Sequence, residues 1–276
     1  MLFVILLFFF WYRINTLSVA INWTELVGQW YWVVGAFIFV LLFYFVLSIH
    51  WLAVCWLIDR SVPWQQAYSF LASQPYKYLP TSIFTFSSRA RFSKRLGMTL
   101  KKSSAAQLVE NLNLIGGAFA LAGLILAFKL SLIIGLLYSL LGFFVCLFAW
   151  QKKTIYVSKI SFTIHLRKWL FTVLIVVIAW IVAGLGLGLL THISTVPSNL
   201  LNIIAANALA FAVSILAVFA PGGIGVRETI YTYFTLALSV IVVWRFITLI
   251  ADGFVGIIAA YLIRRTTKNN MQSLGK

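Results

Sequence analysis

Three stretches of the chain, at residues 130–150, 169–190 and 199–219, contain no charged side chain. Each matches the roughly 20 residues that a helix needs to cross the hydrocarbon of a bilayer. Only 9% of all residues are charged, whereas a soluble domain carries about 25%. Because these apolar runs are continuous and do not alternate with polar residues, they predict helices in lipid and not barrel strands. We predict an all-α integral membrane protein without a soluble domain.

The apolar runs and the breaks between them predict eight membrane spans. They lie near residues 1–20, 31–58, 105–128, 130–150, 169–190, 199–219, 229–244 and 246–263. The N-terminal run lacks the basic flank and the small-residue cleavage site of a signal peptide, so we interpret it as a retained first helix. The chain then forms one polytopic domain, residues 1–276, with halves at about 1–128 and 130–263 and a basic tail at 264–276.

The net charge of +16 would favour a nucleic-acid partner in a soluble protein. Here the basic residues gather in three segments between predicted spans or after them, at residues 89–102, 151–168 and 264–276. This is the positive-inside pattern of membrane proteins. We therefore predict no nucleic-acid partner, a place in the cytoplasmic (inner) membrane of a prokaryote, and both termini in the cytoplasm. The same residues would also attract acidic lipid head groups.

Two segments interrupt the apolar pattern in ways that a simple span does not. Residues 61–88 are apolar and aromatic but contain Pro63, Pro75 and Pro80, and residues 220–228 contain Pro221 and three glycines. Broken backbone is tolerated at membrane depth only where protein or a water-filled cavity satisfies it, as in a re-entrant loop. Pro80 and Pro221 lie about half the chain length apart. Paired breaks of this kind indicate a transporter built from an inverted repeat, with its substrate site where the breaks meet.

The second break has the residue types of an anion site. Gly222, Gly223 and Gly225 free the backbone to turn successive N–H groups in one direction, and Arg227 adds a planar donor fork that suits phosphate. Glu228 then begins a helix, where a carboxylate suits the helix dipole. The alternative is a capped turn between two spans, with Arg227 extending to the membrane surface. The sequence leaves both interpretations open.

The carboxylates are too few and too dispersed for metal-dependent chemistry. The chain has five of them, and each histidine and cysteine stands apart from any second ligand at metal-binding spacing. We predict no metal, no cofactor, no disulfide and no catalytic constellation. Glu110, Glu228 and Asp252 are the acids expected to be buried, and Arg245 or Arg227 is the expected counter-ion of Asp252.

Several stretches, taken in order, resemble the transmembrane region of lysylphosphatidylglycerol synthases and its stand-alone relatives. The strongest is APGGIGVRE, from Ala220 to Glu228. The others are His50-Trp51, the YLP of 78–80 with Arg89 downstream, the polar stretch 95–112, and Arg245 with Asp252. Thr81 departs from the glycine that commonly follows YLP in the family. The resemblance implies a protein that moves or handles lipids, not a synthase, because nothing in the chain resembles the soluble aminoacyl-transfer domain.

We therefore predict a flippase-like translocase of an anionic phospholipid or a polyprenyl-phosphate-linked lipid. Phosphate-holding residues would be Arg89, Arg91 and the second break, while the buried acids balance charge or exchange protons. The full predicted binding set is Arg89, Arg91, Glu110, Pro221, Gly222, Gly223, Gly225, Arg227, Glu228, Arg245 and Asp252. Two alternatives remain: an integral-membrane glycosyl or phosphoryl transferase, and an accessory subunit of a cell-envelope enzyme. The sequence also leaves a homodimer open.

Overall fold

The computed structural model of the chain describes residues 28–79, 83–129, 132–151, 166–194, 199–217, 220–234 and 236–274. These residues form helices joined by short turns, and none of them forms a strand. The predicted first span at 1–20, Pro80, Thr81 and most of the basic segment 151–168 lie outside the described residues.

Nine α-helices occur in the described part of the chain. They are α1 (Trp30–Ile58), α2 (Gln66–Ser73), α3 (Ile83–Arg95), α4 (Leu100–Lys129), α5 (Leu132–Gln151), α6 (Leu166–Leu190), α7 (Leu200–Leu216), α8 (Val226–Tyr233) and α9 (Leu238–Leu274). Short 3-10 helices occupy Gln74–Tyr78, Thr191–Ile193 and Pro221–Gly223.

The distribution of apolar and polar side chains is that of a protein in lipid. Within the described residues, α1, α4, α6 and α9 each contain a segment long and apolar enough to cross a membrane. Their outer faces expose large apolar side chains such as Phe45, Phe171 and Ile257, whereas polar residues such as Gln66 and Asn207 are fully buried. A soluble protein shows the reverse arrangement. The fold is all-α and consistent with a multi-pass membrane protein.

Five predicted spans coincide with helices to within a few residues, namely α1, α4, α5, α6 and α7. The prediction of two spans at 229–244 and 246–263 is wrong. Residues 226–233 form a helix of only eight residues, and α9 then runs without interruption for 37 residues. The predicted division between the two spans falls at Arg245. Arg245 is instead buried and paired within the protein, so its charge does not end the helix.

Small residues set how closely the long helices pack. A Cβ added at Gly123, Gly135 or Gly142 would fall 2.2–2.5 Å from backbone atoms of the facing helix, so α4 and α5 form an antiparallel hairpin in close backbone contact. On α6, Gly184 approaches the backbone of α7 at Ile204, and Gly188 lies against the side chain of Leu200. These glycines are packing residues, as is common between membrane helices.

One ion pair ties the end of α1 to the first turn of α4. Lys102 Nζ lies 2.7 Å from Asp59 Oδ2, and Ser61 donates a further hydrogen bond to the same carboxylate. The hydrogen bond from Lys102, followed by that from Ser61, holds the pKa of Asp59 below its usual value. Asp59 follows the apolar segment of α1, and Lys102 lies in the first turn of α4. This ion pair therefore links the end of α1 to the polar start of α4.

Candidate functional site

The two sequence breaks lie in contact with each other. The 3-10 turn Gln74–Tyr78 packs against the 3-10 turn Pro221–Gly223. Gly222 has a φ of +59°, and a Cβ built on it would meet two ring carbons of Tyr78 at 2.8 and 2.9 Å. A side chain at this position would therefore be strained by its backbone conformation and would also collide with the first break.

The first break is less irregular than the sequence suggested. Its residues form α2, the turn Gln74–Tyr78 and α3, so that residues 83–88, which were included in the predicted re-entrant segment, are helical. Buried hydrogen bonds hold these pieces together. Trp51 on α1 donates to Gln66 and Ser69, and the side-chain amide of Gln66 donates to the backbone carbonyl of Ser93.

A cavity of about 150 Å³ lies where the breaks meet. Its wall is made by both breaks, by the polar first half of α4 and by the end of α7. The predicted residues that line it are Arg89, Glu110, Gly222, Gly223 and Arg227. Lys77, Gln107, Asn111 and Ser214 add polar groups, and Phe70, Trp180 and Phe211 add aromatic rings.

Helix α9 holds both breaks through three residues on one face. Arg245 donates from Nη2 to the Gly222 carbonyl at 3.0 Å, and its Nε lies 2.8 Å from Glu228 Oε1. About two turns further along, Asp252 contacts the first break, and one turn beyond it Gly256 lies against Pro75. One helix therefore contacts both breaks, in addition to their direct contact with each other.

Asp252 is paired with residues that the sequence did not assign to it. Lys77 Nζ lies 2.9 Å from its Oδ1, and the Tyr78 hydroxyl donates to its Oδ2 at 2.6 Å. The predicted partner, Arg245 or Arg227, is wrong, because Arg245 pairs with Glu228 and Arg227 lies elsewhere in the site. Lys77 itself could have indicated this pairing, because it is a lone cation within a segment predicted to lie at membrane depth.

Arg89 lines the cavity, but its donors and both faces are largely engaged by protein. Its Nε donates to Ser73 Oγ at 2.9 Å, and its Nη1 pairs with Glu110 Oε2. The guanidinium lies between two rings, with Cζ 5.1 Å from the Trp51 centroid and 4.7 Å from that of Phe70. Such an arrangement makes Arg89 a structural group that fixes Glu110, more than a free phosphate ligand.

Arg227 differs from Arg89 because no carboxylate in the described chain forms an ion pair with it. Its Nε donates to Ser214 Oγ at 3.0 Å, and its Cζ lies 3.6 Å from the centroid of the Phe211 ring. The side chain is buried yet lines the cavity. The two terminal nitrogens of the fork have no hydrogen-bond acceptor among the described residues, so they are available to a ligand.

Three other predicted residues, Arg91, Gly225 and Glu228, do not line the cavity. Arg91 is exposed on α3 and bonds a carbonyl of its own helix, so its predicted role in holding phosphate is not supported by its position. Gly225 is exposed, and its N–H donates to Glu228 Oε2 at 2.7 Å. The side chain of Glu228 is 26% exposed, so its expected burial is wrong. Its carboxylate caps α8 and pairs with Arg245.

Charge is unbalanced in this cluster. Lys77, Arg89, Arg227 and Arg245 are four cations, and Glu110, Glu228 and Asp252 are three carboxylates, which leaves one positive charge in excess. Three of the cations have a carboxylate partner, so the excess is located at Arg227. A buried and uncompensated charge in a cavity favours an anionic ligand.

Within the described residues no three His, Cys, Asp or Glu side chains are grouped closely enough to hold a metal. The carboxylates of Glu110 and Asp252 are both engaged by basic side chains. The described residues of this part of the chain form a partly polar cavity between two interrupted helices.

No protein-family model matches the chain, and a search of curated proteins finds no relative. The resemblance to the membrane region of lysylphosphatidylglycerol synthases therefore stays a prediction. The class that fold and site define is a helical, multi-pass type of membrane protein with a cationic cavity between two helix breaks.

Gly256→Ala is expected to lower the stability of the protein by about 1–3 kcal/mol, because the new methyl group would overlap the Pro75 ring. A Cβ at Gly256 lies 2.4 Å from Pro75 Cγ. Gly253→Ala, on the same helix with nothing within 4 Å of the new Cβ, is the matched control and should be neutral or slightly stabilising. Thermal unfolding in mild detergent measures both. Equal melting temperatures for the two variants would contradict the packing of α9 against the first break.

Proposed function

We propose that the protein is a lipid translocase, which moves an anionic phospholipid or a polyprenyl-phosphate-linked lipid across the cytoplasmic membrane. The observation that supports this function best is Arg227, a buried arginine without a carboxylate partner in the described chain, whose free donors line the cavity where the two breaks meet. A guanidinium fork matches the oxygens of a phosphate. The resemblance to lipid-handling membrane proteins agrees with this proposal.

The second break belongs, in this proposal, to a re-entrant hairpin formed by α7 and α8. The Tyr231 hydroxyl donates to Asn207 at 2.9 Å and Arg227 Nε to Ser214, so α8 returns antiparallel along α7. With eight residues and about 1.5 Å per residue, α8 is far too short to cross a bilayer. The α2–α3 hairpin is the corresponding element of the first half of the chain.

A topology with six crossings follows from this proposal. The crossings are α1, α4, α5, α6, α9 and the first span that the sequence predicts at 1–20, and their even number keeps both termini in the cytoplasm with the basic segments. The α2–α3 hairpin then enters from the cytoplasmic side, where the Asp59–Lys102 pair lies, and the α7–α8 hairpin enters from the opposite side. This is the arrangement expected of an inverted repeat, with the cavity between hairpins of opposite direction.

The translocation cycle would expose this cavity to each leaflet in turn. A lipid head group enters between the hairpins, and its phosphate replaces water at the terminal nitrogens of Arg227. Each hairpin separates the cavity from one side of the membrane, so small movements of the two hairpins against α9 would open it alternately. The acyl chains would stay in the bilayer, which the exposed apolar faces of the helices already contact.

Arg227→Lys is expected to reduce translocation of a fluorescent anionic phospholipid in proteoliposomes by about tenfold or more, since lysine keeps the charge but loses the fork. Arg227→Ala should reduce it further. Arg95→Lys, a substitution of an exposed arginine at the end of α3, is the control and should transport normally. Normal transport by both Arg227 variants would refute the assignment. So would a loss of activity that parallels a loss of thermal stability, because Arg227 would then act only in folding.

A further inference from the structure

Each carboxylate of the cluster around the cavity already has a cationic partner within the protein. The three ion pairs are Lys77–Asp252, Arg89–Glu110 and Arg245–Glu228. Among the described residues, Arg227 is the cation of this cluster that is left without a carboxylate. Its charge is therefore compensated only by what enters the cavity, which is either water or an anion.

The contacts of Arg227 keep this charge at the cavity wall. The residue is 6% exposed, and it lines the cavity. Its Nε donates to Ser214 Oγ at 3.0 Å, and its Cζ lies 3.6 Å from the centroid of the Phe211 ring. Both partners belong to α7, so the hydrogen bond and the ring contact hold the guanidinium against that helix. The cavity carries the positive charge in every state in which these contacts persist.

The proposed cycle includes closure of the cavity between its two openings, and this step depends on the charge of Arg227. While the cavity is open, water solvates the guanidinium. Closure removes most of that water, and a buried charge without a counter-ion is costly. A bound anion supplies the counter-ion, so the cavity closes more readily when it is loaded than when it is empty. The empty protein therefore lacks a low-energy route back to the first leaflet.

We propose that the protein is an anion exchanger, in which the return step requires a second anion at Arg227. The inference rests on the proposed function and adds a counter-substrate to it. Two sources supply this chemistry: a small inorganic anion such as chloride or phosphate, and another anionic lipid that moves in the opposite direction. The cavity of about 150 Å³ is several times the space of about 10–15 Å³ that one water needs, so it holds either inorganic ion. Exchange of two monovalent anions moves no net charge, so their concentrations set its direction.

Counting turnovers tests the exchange. The full-length protein is reconstituted in phosphatidylcholine vesicles with gluconate, a bulky anion, on both sides, and a fluorescent anionic phospholipid is added to the outer leaflet. Extraction by albumin reports how much of this lipid stays outside. We expect each protein to transfer its first lipid and the rate then to fall about tenfold or more, because the empty cavity closes with an uncompensated charge.

Two additions distinguish the sources of the counter-anion. Continuous transfer after chloride or phosphate is sealed inside the vesicles assigns an inorganic anion, and continuous transfer after an unlabelled anionic phospholipid is mixed into both leaflets assigns a lipid. Either result supports the exchange. Continuous transfer with phosphatidylcholine and gluconate alone would overturn it and leave lipid transport in place, as would a rate that stays low after both additions. Failure to transfer even the first lipid in every condition would instead overturn the proposed function.

Thermal unfolding in mild detergent reports the inorganic anion independently of transport. An ion that binds only the folded protein raises its melting temperature, so chloride or phosphate should raise that of the wild type above its value in gluconate. Arg227→Gln removes the excess charge and should remove most of this difference. Arg95→Gln, which removes an exposed charge at the end of α3, is the matched control and should keep it. The absence of a difference in the wild type, or an equal difference in Arg227→Gln, would overturn the inorganic ion as the occupant of this site.

Discussion

Glu110→Leu is expected to cost about 3–5 kcal/mol of unfolding free energy, one of the two largest effects of a single substitution that the structure leads us to expect. The cost comes from Arg89, which stays buried without its counter-ion. Arg89 is buried between Trp51 and Phe70, with a side-chain exposure of 7%, and Glu110 is its counter-ion. Removing one member of a buried pair leaves an uncompensated charge, which is the costly case. Unfolding of the detergent-solubilised protein measures the loss.

The double variant Arg89→Leu with Glu110→Leu should recover much of that stability, because no charge is then buried. Asp59→Asn is the matched control, since it breaks the more accessible pair with Lys102, whose side chain is 32% exposed. That change should cost no more than about 1 kcal/mol. Similar losses for Glu110→Leu and Asp59→Asn would contradict the buried state of the Arg89 pair.

The long helices and the existence of two breaks were accessible from the sequence because they depend on local patterns. Continuous apolar runs predicted α1, α4, α5, α6 and α7, and proline with glycine predicted the interruptions. The positive φ angles at Gly222, Gly223 and Gly225 agree with the reason for which glycine was expected there. Each of these features requires only neighbouring residues to be specified.

The pairing of charges could not be predicted, because it depends on contacts between distant parts of the chain. Asp252 lies 175 positions from Lys77, and no local rule prefers Lys77 to the nearer Arg245. The predicted spans are divided at Arg245, and only the tertiary structure shows that this side chain is buried and bonded to Glu228 and to the Gly222 carbonyl. Sequence spacing also could not separate Arg89, which pairs with Glu110, from Arg227, whose terminal nitrogens have no acceptor among the described residues.

The arrangement around α9 explains why the two breaks can act together. Arg245 bonds the second break, and Asp252 bonds the first, from positions about two turns apart on one helix. Both interactions use charged or hydroxyl groups that lipid cannot replace. A movement of α9 relative to either hairpin would therefore change the cavity, whereas the apolar contacts of its outer face would be little affected. The Asp252 contacts are the place where this coupling can be measured.

Lys77→Met should be clearly more destabilising than Asp252→Asn, although both remove the same ion pair. The Asp252 side chain is 1% exposed and that of Lys77 is 17% exposed. In Lys77→Met the buried carboxylate loses its cationic partner and keeps only neutral hydroxyl donors among the described residues, such as that of Tyr78, so we expect a loss of about 3–5 kcal/mol. In Asp252→Asn the amide oxygen still accepts from Tyr78, and Lys77 keeps its contact with the Tyr44 hydroxyl at 3.2 Å and its access to the cavity. That loss should be about 1–2 kcal/mol.

Unfolding in mild detergent gives both values under one set of conditions, and Tyr78→Phe provides the control for the third member of the cluster. Since Tyr78→Phe removes one hydrogen bond and leaves the ion pair intact, we expect it to cost about 1–3 kcal/mol, the range for a hydrogen bond to a charged group. Lys77→Met should therefore be the most destabilising of the three. If Asp252→Asn proved more damaging than Lys77→Met, the carboxylate would not be the more deeply buried partner. In that case α9 would not hold the first break in the way the structure describes.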